Sequence, residues 1–236
     1  MFSILVFKSM KFIFIFVFLI LGCGEKSNLD LGKEAVSNAN QNDHSDAPRI
    51  IFFGDSLTAG YGLVDFEKSW PYLVHARLKK EGLNYEMTNA GVSGDTSSGG
   101  LGRIDWVLSQ KPDIFVLELG ANDMLRGIPP SVTRTNLTDL VLKIKKEYPK
   151  CEIVLMGMRA TPNLGKGFRD DFDSIYPTLA KSEKLTFVPF LLERVAGIRK
   201  LNQKDGIHPT EEGHVLVANT VYPYIKKAAS RLTKAR

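Results

Sequence analysis

Short apolar runs alternate along the chain with longer stretches in which apolar positions recur every three or four residues. The runs Ile50–Phe53, Tyr85–Asn89, Ile114–Leu119, Ile153–Gly157 and Leu185–Val188 read as strands. Between them, residues 69–81, 101–110, 131–148 and 168–181 carry the helical spacing, and a last helix runs from Pro209 to about Thr233. Stretches such as IFVLEL and EIVLM are almost wholly apolar, as strands of a parallel sheet are when helices cover both faces. The alternation predicts one α/β domain over residues 49–236, built in three layers around a five-stranded parallel sheet.

The first 48 residues break this rhythm. Residues 1–22 hold Lys8 and Lys11 and then the run FIFIFVFLILG, which is short for a bilayer span of about 20 residues. A basic start, a short apolar core and a small residue at the boundary describe an export signal. Its end, Ile20-Leu21-Gly22-Cys23, resembles the lipobox of bacterial lipoproteins. That resemblance implies cleavage before Cys23 and acylation of Cys23, and two or more acyl chains anchor a protein stably. The alternative is an uncleaved helix over residues 2–21, which would place both lysines in the membrane at a cost. From residue 24 to 48 the chain is polar and nearly free of large apolar side chains, the composition of a tether with an r.m.s. span on the order of 25–30 Å. The expectation is therefore a signal over 1–22, a tether over 23–48 and an extracytoplasmic, membrane-anchored domain.

Composition narrows the remaining choices. The chain is 44% hydrophobic and 24% charged, ordinary values for a globular protein with a sizeable core. Of its 31 basic residues, Lys8 and Lys11 leave with the signal, so 29 face 26 acidic ones and the net charge falls from +5 to +3. The excess gathers at Lys143, Lys145 and Lys146 and in the tail from Lys226 to Arg236. Such a tail suits an anionic membrane surface or simply a solvated helix face. It makes no case for nucleic acid. Cys23 and Cys151 are the two cysteines, which excludes a zinc ribbon or a disulfide framework and leaves Cys151 as a structural thiol.

Four short blocks fall where strands end or helices begin. Gly54-Asp55-Ser56-Leu57 places a serine just past the first strand, as a nucleophile or as a helix N-cap. Asn89-Ala90-Gly91-Val92-Ser93-Gly94-Asp95-Thr96 follows the second strand, and its glycines allow tight turns or a close approach of backbone amides to a ligand. Gly120-Ala121-Asn122-Asp123 follows the third, with an amide that could donate to a developing anion or hold the loop. Asp205-Gly206-Ile207-His208-Pro209 precedes the last helix. Of the four histidines, His44 lies in the tether, and His75 and His214 lie within helices. Only His208 sits at a loop–helix junction with a carboxylate three residues before it. A turn at Gly206 would let Asp205 accept from His208, the base-and-orienter half of a nucleophilic triad or a structural pair. Pro209 suits the first helical position.

Together the blocks resemble those of the SGNH, or GDSL-type, hydrolases, over Ile50 to about Ala218. The phrases SGDTSSGGLGR and VLELGANDMLRG are closest to the bacterial arylesterase, thioesterase and lysophospholipase branch. The resemblance implies a flavodoxin-like fold and a catalytic triad of Ser56, His208 and Asp205. It implies an oxyanion hole from the N–H groups of Ser56 and Gly94 and the Asn122 amide, with Asp55 holding the turn. It requires no metal or cofactor, because water resolves the acyl-enzyme. The substrate would be a small-molecule acyl ester or thioester. Apolar residues after the third block (Met124, Leu125 and Ile128, with Pro129 and Pro130) and in the loop Met158–Phe168 suit a fatty acyl chain or the packing of loops. Two other functions stay open: an O-deacetylase of carbohydrate or peptidoglycan, which the same superfamily includes, and a membrane-tethered binding lipoprotein with an inactive site.

Overall fold

The computed structural model describes residues 47–235, with side chains to residue 232. The signal, the Cys23 acylation site, His44 and nearly all of the tether lie outside the described residues. The sheet has five parallel strands in the order β2-β1-β3-β4-β5: β1 Arg49–Gly54, β2 Glu86–Gly91, β3 Ile114–Leu117, β4 Glu152–Met156 and β5 Thr186–Val188. In-register parallel pairing sets Phe53 against Ala90 on one side and Leu117 on the other. The helices are α1 Ser56–Ala59, α2 Trp70–Lys80, α3 Ser97–Leu108, α4 Ala121–Leu125, α5 Pro130–Glu147, α6 Lys166–Ser182 and α7 Glu211–Ala235. The crossovers put α2 and α7 together on one face and α3, α5 and α6 together on the other.

The two central strands explain the apolar runs. Ile50–Phe53 and Ile114–Leu117 are completely buried, each side chain contributing roughly 1.5–3 kcal/mol. Phe52 meets Trp70 of α2 edge-on at 5.3 Å, and Phe53 packs on Phe115 at the same separation. Because β2 lies on one side of β1 while β3, β4 and β5 continue on the other, the strand order reverses between β1 and β3. At that reversal the carboxyl ends of the strands open a crevice, and three of the four blocks converge on it.

Several elements differ from the pattern. Helix α3 begins at Ser97, four residues before Leu101, because Thr96 Oγ1 accepts from the Gly99 N–H (3.2 Å) and starts the helix in a glycine-rich segment with no apolar period. Helices α1 and α4 are four and five residues long, too short for a 3.6-residue period to register. Pro209 is not the first residue of α7. It bridges antiparallel to Asn202, and Thr210 takes over the start, its Oγ1 accepting from the Gly213 N–H (3.3 Å).

Candidate active site

Strand β1 ends at Gly54, where nothing larger fits: a Cβ there would run into Thr58 Oγ1, Glu118 Oε2 and the Glu118 carbonyl. The next residue, Asp55, is the N-cap of α1, with Oδ1 accepting from the Leu57 N–H at 2.9 Å. That removes the capping reading of the serine. The cap is Asp55, and Ser56 is the first residue of the helix. Its N–H therefore has no carbonyl one turn earlier to donate to. Trp70 Nε1 donates to the Leu57 carbonyl (3.0 Å), and the Trp70 N–H donates to His214 Nδ1 (3.2 Å), tying α1 to α2 and α7. His214 is a helix-capping acceptor; burial, then the charge of His208, lowers its pKa to about 4.

The fourth block meets this turn from across the chain. His208 Nε2 lies 2.8 Å from Ser56 Oγ, and His208 Nδ1 lies 2.7 Å from Asp205 Oδ2. Asp205 Oδ1 accepts from the N–H groups of Ile207 (2.9 Å) and His208 (3.0 Å), so the carboxylate cannot rotate without losing two bonds. Burial alone would push the Asp205 pKa up. The His208 ring and the two N–H groups outweigh it and hold the pKa at about 2. Tyr61 packs its ring on His208 with centroids 4.6 Å apart. Gln203 bridges the two loops, its Nε2 donating to the carbonyls of Tyr61 (2.7 Å) and Pro209 (3.0 Å) while its N–H donates to the His208 carbonyl (2.7 Å).

Gly94 has φ of +82°, a left-handed conformation that side chains rarely adopt, and its carbonyl accepts from Arg126 Nη2 at 2.6 Å. The next residue, Asp95, pairs with Arg103 Nε at 2.7 Å, and Arg103 Nη2 reaches the Gly54 carbonyl at 3.0 Å over the Phe53 ring. One arginine thus binds the second block to the end of β1. Asn122, in α4, donates from Nδ2 to Asp55 Oδ2 and to the Asp95 carbonyl, both at 3.0 Å. Both amide hydrogens are engaged, so donation to a third oxygen requires one of these bonds to be shared or exchanged.

Behind the turn lies a residue that the strand pattern conceals. Glu118, completely buried, accepts at Oε2 from the Asp55 N–H (3.1 Å) and from Thr58 Oγ1 (2.7 Å). The signal was a lone carboxylate in the otherwise apolar run IFVLEL. Desolvation, then the neighbouring Asp55 carboxyl, raises the Glu118 pKa well above the usual range. Desolvation also raises Asp55, to about 6, against the opposing hydrogen bonds it accepts.

A groove of about 500 Å³ adjoins the triad, lined by Leu57, Ala121, Gly206 and Ile207, which neighbour Ser56, Asn122 and His208 in sequence. Met124 and Leu125 line it as expected, as do Met158–Pro162. Ile128 does not: α4 ends at Leu125 and the Ile128 N–H turns back to the Asp123 carbonyl (2.9 Å), carrying the chain past the groove. Pro129, Pro130 and Phe168 are likewise absent from the lining. Phe190, Leu192 and Ala196, from the segment after β5, complete a wall that no sequence period had marked. Among the described residues, no cluster of His, Cys, Asp and Glu has the arrangement of a metal site.

Known proteins resemble this chain in sequence and fold. Esterase TesA of Pseudomonas aeruginosa is 39% identical over 181 residues, 76% of this chain and 89% of the relative. Escherichia coli thioesterase 1/protease 1/lysophospholipase L1 is 34% identical over 174 residues, covering 73% and 81%. A crystal structure of TesA superposes with a TM-score of 0.72 at 37% identity, over 76% of this chain and 99% of that one. The family model of GDSL-like lipases and acylhydrolases matches residues 52–216, from within β1 to beyond His208, and the chain belongs to that family.

Proposed function

We propose that this protein is a serine hydrolase that cleaves the carboxylic ester or thioester bonds of lipid-like acyl substrates. The observation that carries the reading is the line Asp205–His208–Ser56, with contacts of 2.7 and 2.8 Å beside an apolar groove. His208 Nε2 takes the Ser56 proton as Oγ bonds to the acyl carbon, and the carbonyl electron pair moves onto oxygen. Asp205 stabilises the imidazolium and fixes its tautomer. The N–H groups of Ser56 and Gly94 and the Asn122 amide hold the new charge, each such donor being worth about 10²–10³ in rate. Collapse breaks the C–O or C–S bond, His208 protonates the leaving group, and water repeats the sequence to release the acid and restore Ser56.

Leu57, Met124, Leu125, Met158, Phe190 and Ile207 in the groove wall favour a fatty chain over an acetyl group on a sugar. The names of the relatives, esterase and thioesterase/lysophospholipase, support the same substrate class. The test is a fluorophosphonate probe together with a series of p-nitrophenyl esters. Ser56 should be labelled in the folded protein, Ser56→Ala should be inert, and kcat/KM should rise from acetyl to octanoyl. An unlabelled Ser56 would indicate a binding lipoprotein, and acetyl preference would indicate a deacetylase.

We also propose that the domain works outside the cytoplasm on an acylated Cys23. The basic start, the apolar core and the sequence Ile20-Leu21-Gly22-Cys23 support this reading. Export would argue against CoA thioesters as natural substrates. Cys23→Ser should abolish incorporation of labelled fatty acid; retained incorporation would refute the anchor.

A further inference from the structure

We propose that Glu118 is a positioning residue, a buried neutral acid whose proton is donated to the Asp55 carboxylate and thereby fixes both the turn that presents Ser56 and the Asn122 amide. The inference rests on the reading of Ser56 as nucleophile and adds a residue in contact with none of the reacting atoms. Its ground is a mismatch in the hydrogen bonding behind the turn. Glu118 Oε2 has two donors, but Oε1 is buried with no donor facing it. The Asp55 carboxyl group nevertheless neighbours it, and the two residues are joined through the Asp55 N–H at Glu118 Oε2. Two carboxylates offer only lone pairs, whereas a proton on the unpartnered Oε1 gives that atom a hydrogen to donate to the Asp55 carboxylate. Like charges in one dry site also prevent both from ionising.

The environment assigns the proton. Asp55 accepts from the Leu57 N–H and from Asn122 Nδ2, and it feels the positive end of His208, all of which favour its charged form. Glu118 has no cation against it. The other titratable or charged groups around the pair are Tyr176 of α6, whose hydroxyl donates to the Leu119 carbonyl, Asp123, held by the Ser97 N–H, and Arg103, committed to Asp95 and the Gly54 carbonyl. None supplies a proton or a positive charge to Glu118. The chain of bonds then runs from Glu118 to Asp55 and on to Asn122 and the Leu57 N–H, so the acid acts at once on one oxyanion donor, the Asn122 amide, and on the turn that carries the Ser56 N–H.

The experiment uses the full chain and two variants, Glu118→Gln and Glu118→Leu. The infrared spectrum of the parent protein near neutral pH should show the carbonyl band of a protonated carboxyl group, shifted in D₂O and missing from E118Q. Identical spectra would overturn the proposal. Glutamine keeps an acceptor for the Asp55 N–H and a donor for its carboxylate, so E118Q should stay within about tenfold of the parent kcat. Leucine keeps neither, and E118L should lose about 10²-fold in kcat, comparable to removal of an oxyanion donor, with KM changed less than twofold. A parent-like E118L, a loss confined to KM, or E118Q as slow as a folded E118L would each refute it. If E118L does not fold, the spectrum and kcat of E118Q still decide. Fluorophosphonate labelling of the parent is scored separately, and its failure would strike the hydrolase reading instead.

Discussion

Replacing Asp205 by Asn exchanges one oxygen for an NH₂ group, and the geometry dictates where that group goes. Oδ1 accepts from the N–H groups of Ile207 and His208, so the amide oxygen must take that place. The NH₂ group then occupies the place of Oδ2, 2.7 Å from His208 Nδ1, and becomes a donor. His208 must present a lone pair at Nδ1 and carry its hydrogen on Nε2, where it can no longer accept the Ser56 proton. The variant should fold normally and lose about 10⁴ in kcat, or about 5–6 kcal/mol of transition-state stabilisation. Asp205→Ala should be less damaging, by about tenfold, because the Asp205 side chain is 36% exposed and water can reach Nδ1 without imposing a tautomer. The assay is burst-corrected hydrolysis of p-nitrophenyl octanoate, with circular dichroism as the check on folding. An Asn variant within tenfold of the parent, or an Ala variant slower than the Asn one, would refute the tautomer argument.

Leu125→Asp places a charge in a half-exposed stretch of the groove wall; KM should rise about tenfold for octanoyl esters and less than twofold for acetyl esters, and equal losses would exclude an acyl groove. His214→Leu leaves the buried Trp70 N–H without its acceptor and should cost about 1–3 kcal/mol in urea unfolding. Because the folded pKa of His214 lies near 4 against 6.5 when unfolded, the unfolded chain binds the extra proton first. The parent should therefore lose stability as pH falls from 6.5 towards 4, and that loss should be smaller in the variant. Burial, then the charges of Asp113 and Glu152, pushes the Cys151 thiol up to about 12, so an alkylating reagent should modify it only after unfolding, as mapped by peptide mass. Modification in the native protein at neutral pH would refute the assignment as a structural thiol.

Much of this was open to reading along the chain. Strands β1 and β3 announced themselves as apolar runs because both faces are covered, and the first and third functional blocks stood where those runs stopped. The residues that join the blocks were hidden for definite reasons. Arg103 lies within a helix, and only the fold carries its guanidinium to Asp95 and Gly54. Gln203 is one polar residue among several in a loop. Glu118 has no periodicity of its own, and its solitary charge among apolar neighbours becomes meaningful once Asp55 is seen to face it. The misplaced Ile128 shows the opposite error. Proximity in sequence to Met124 suggested a shared pocket, but the end of α4 takes the chain elsewhere. The wall from Phe190 to Ala196 follows a strand of three residues and has no pattern to read.

The Gln203 bridge has a consequence for the second half of a catalytic cycle. Once an acyl group is attached to Ser56 Oγ, that oxygen has no hydrogen to offer His208, and the contact that joins the two loops through chemistry is gone. Three hydrogen bonds from Gln203 and the ring of Tyr61 do not depend on it. The imidazole is therefore kept in station while the ester persists, ready to activate a water without reassembly, and acylation and hydrolysis share one rigid frame.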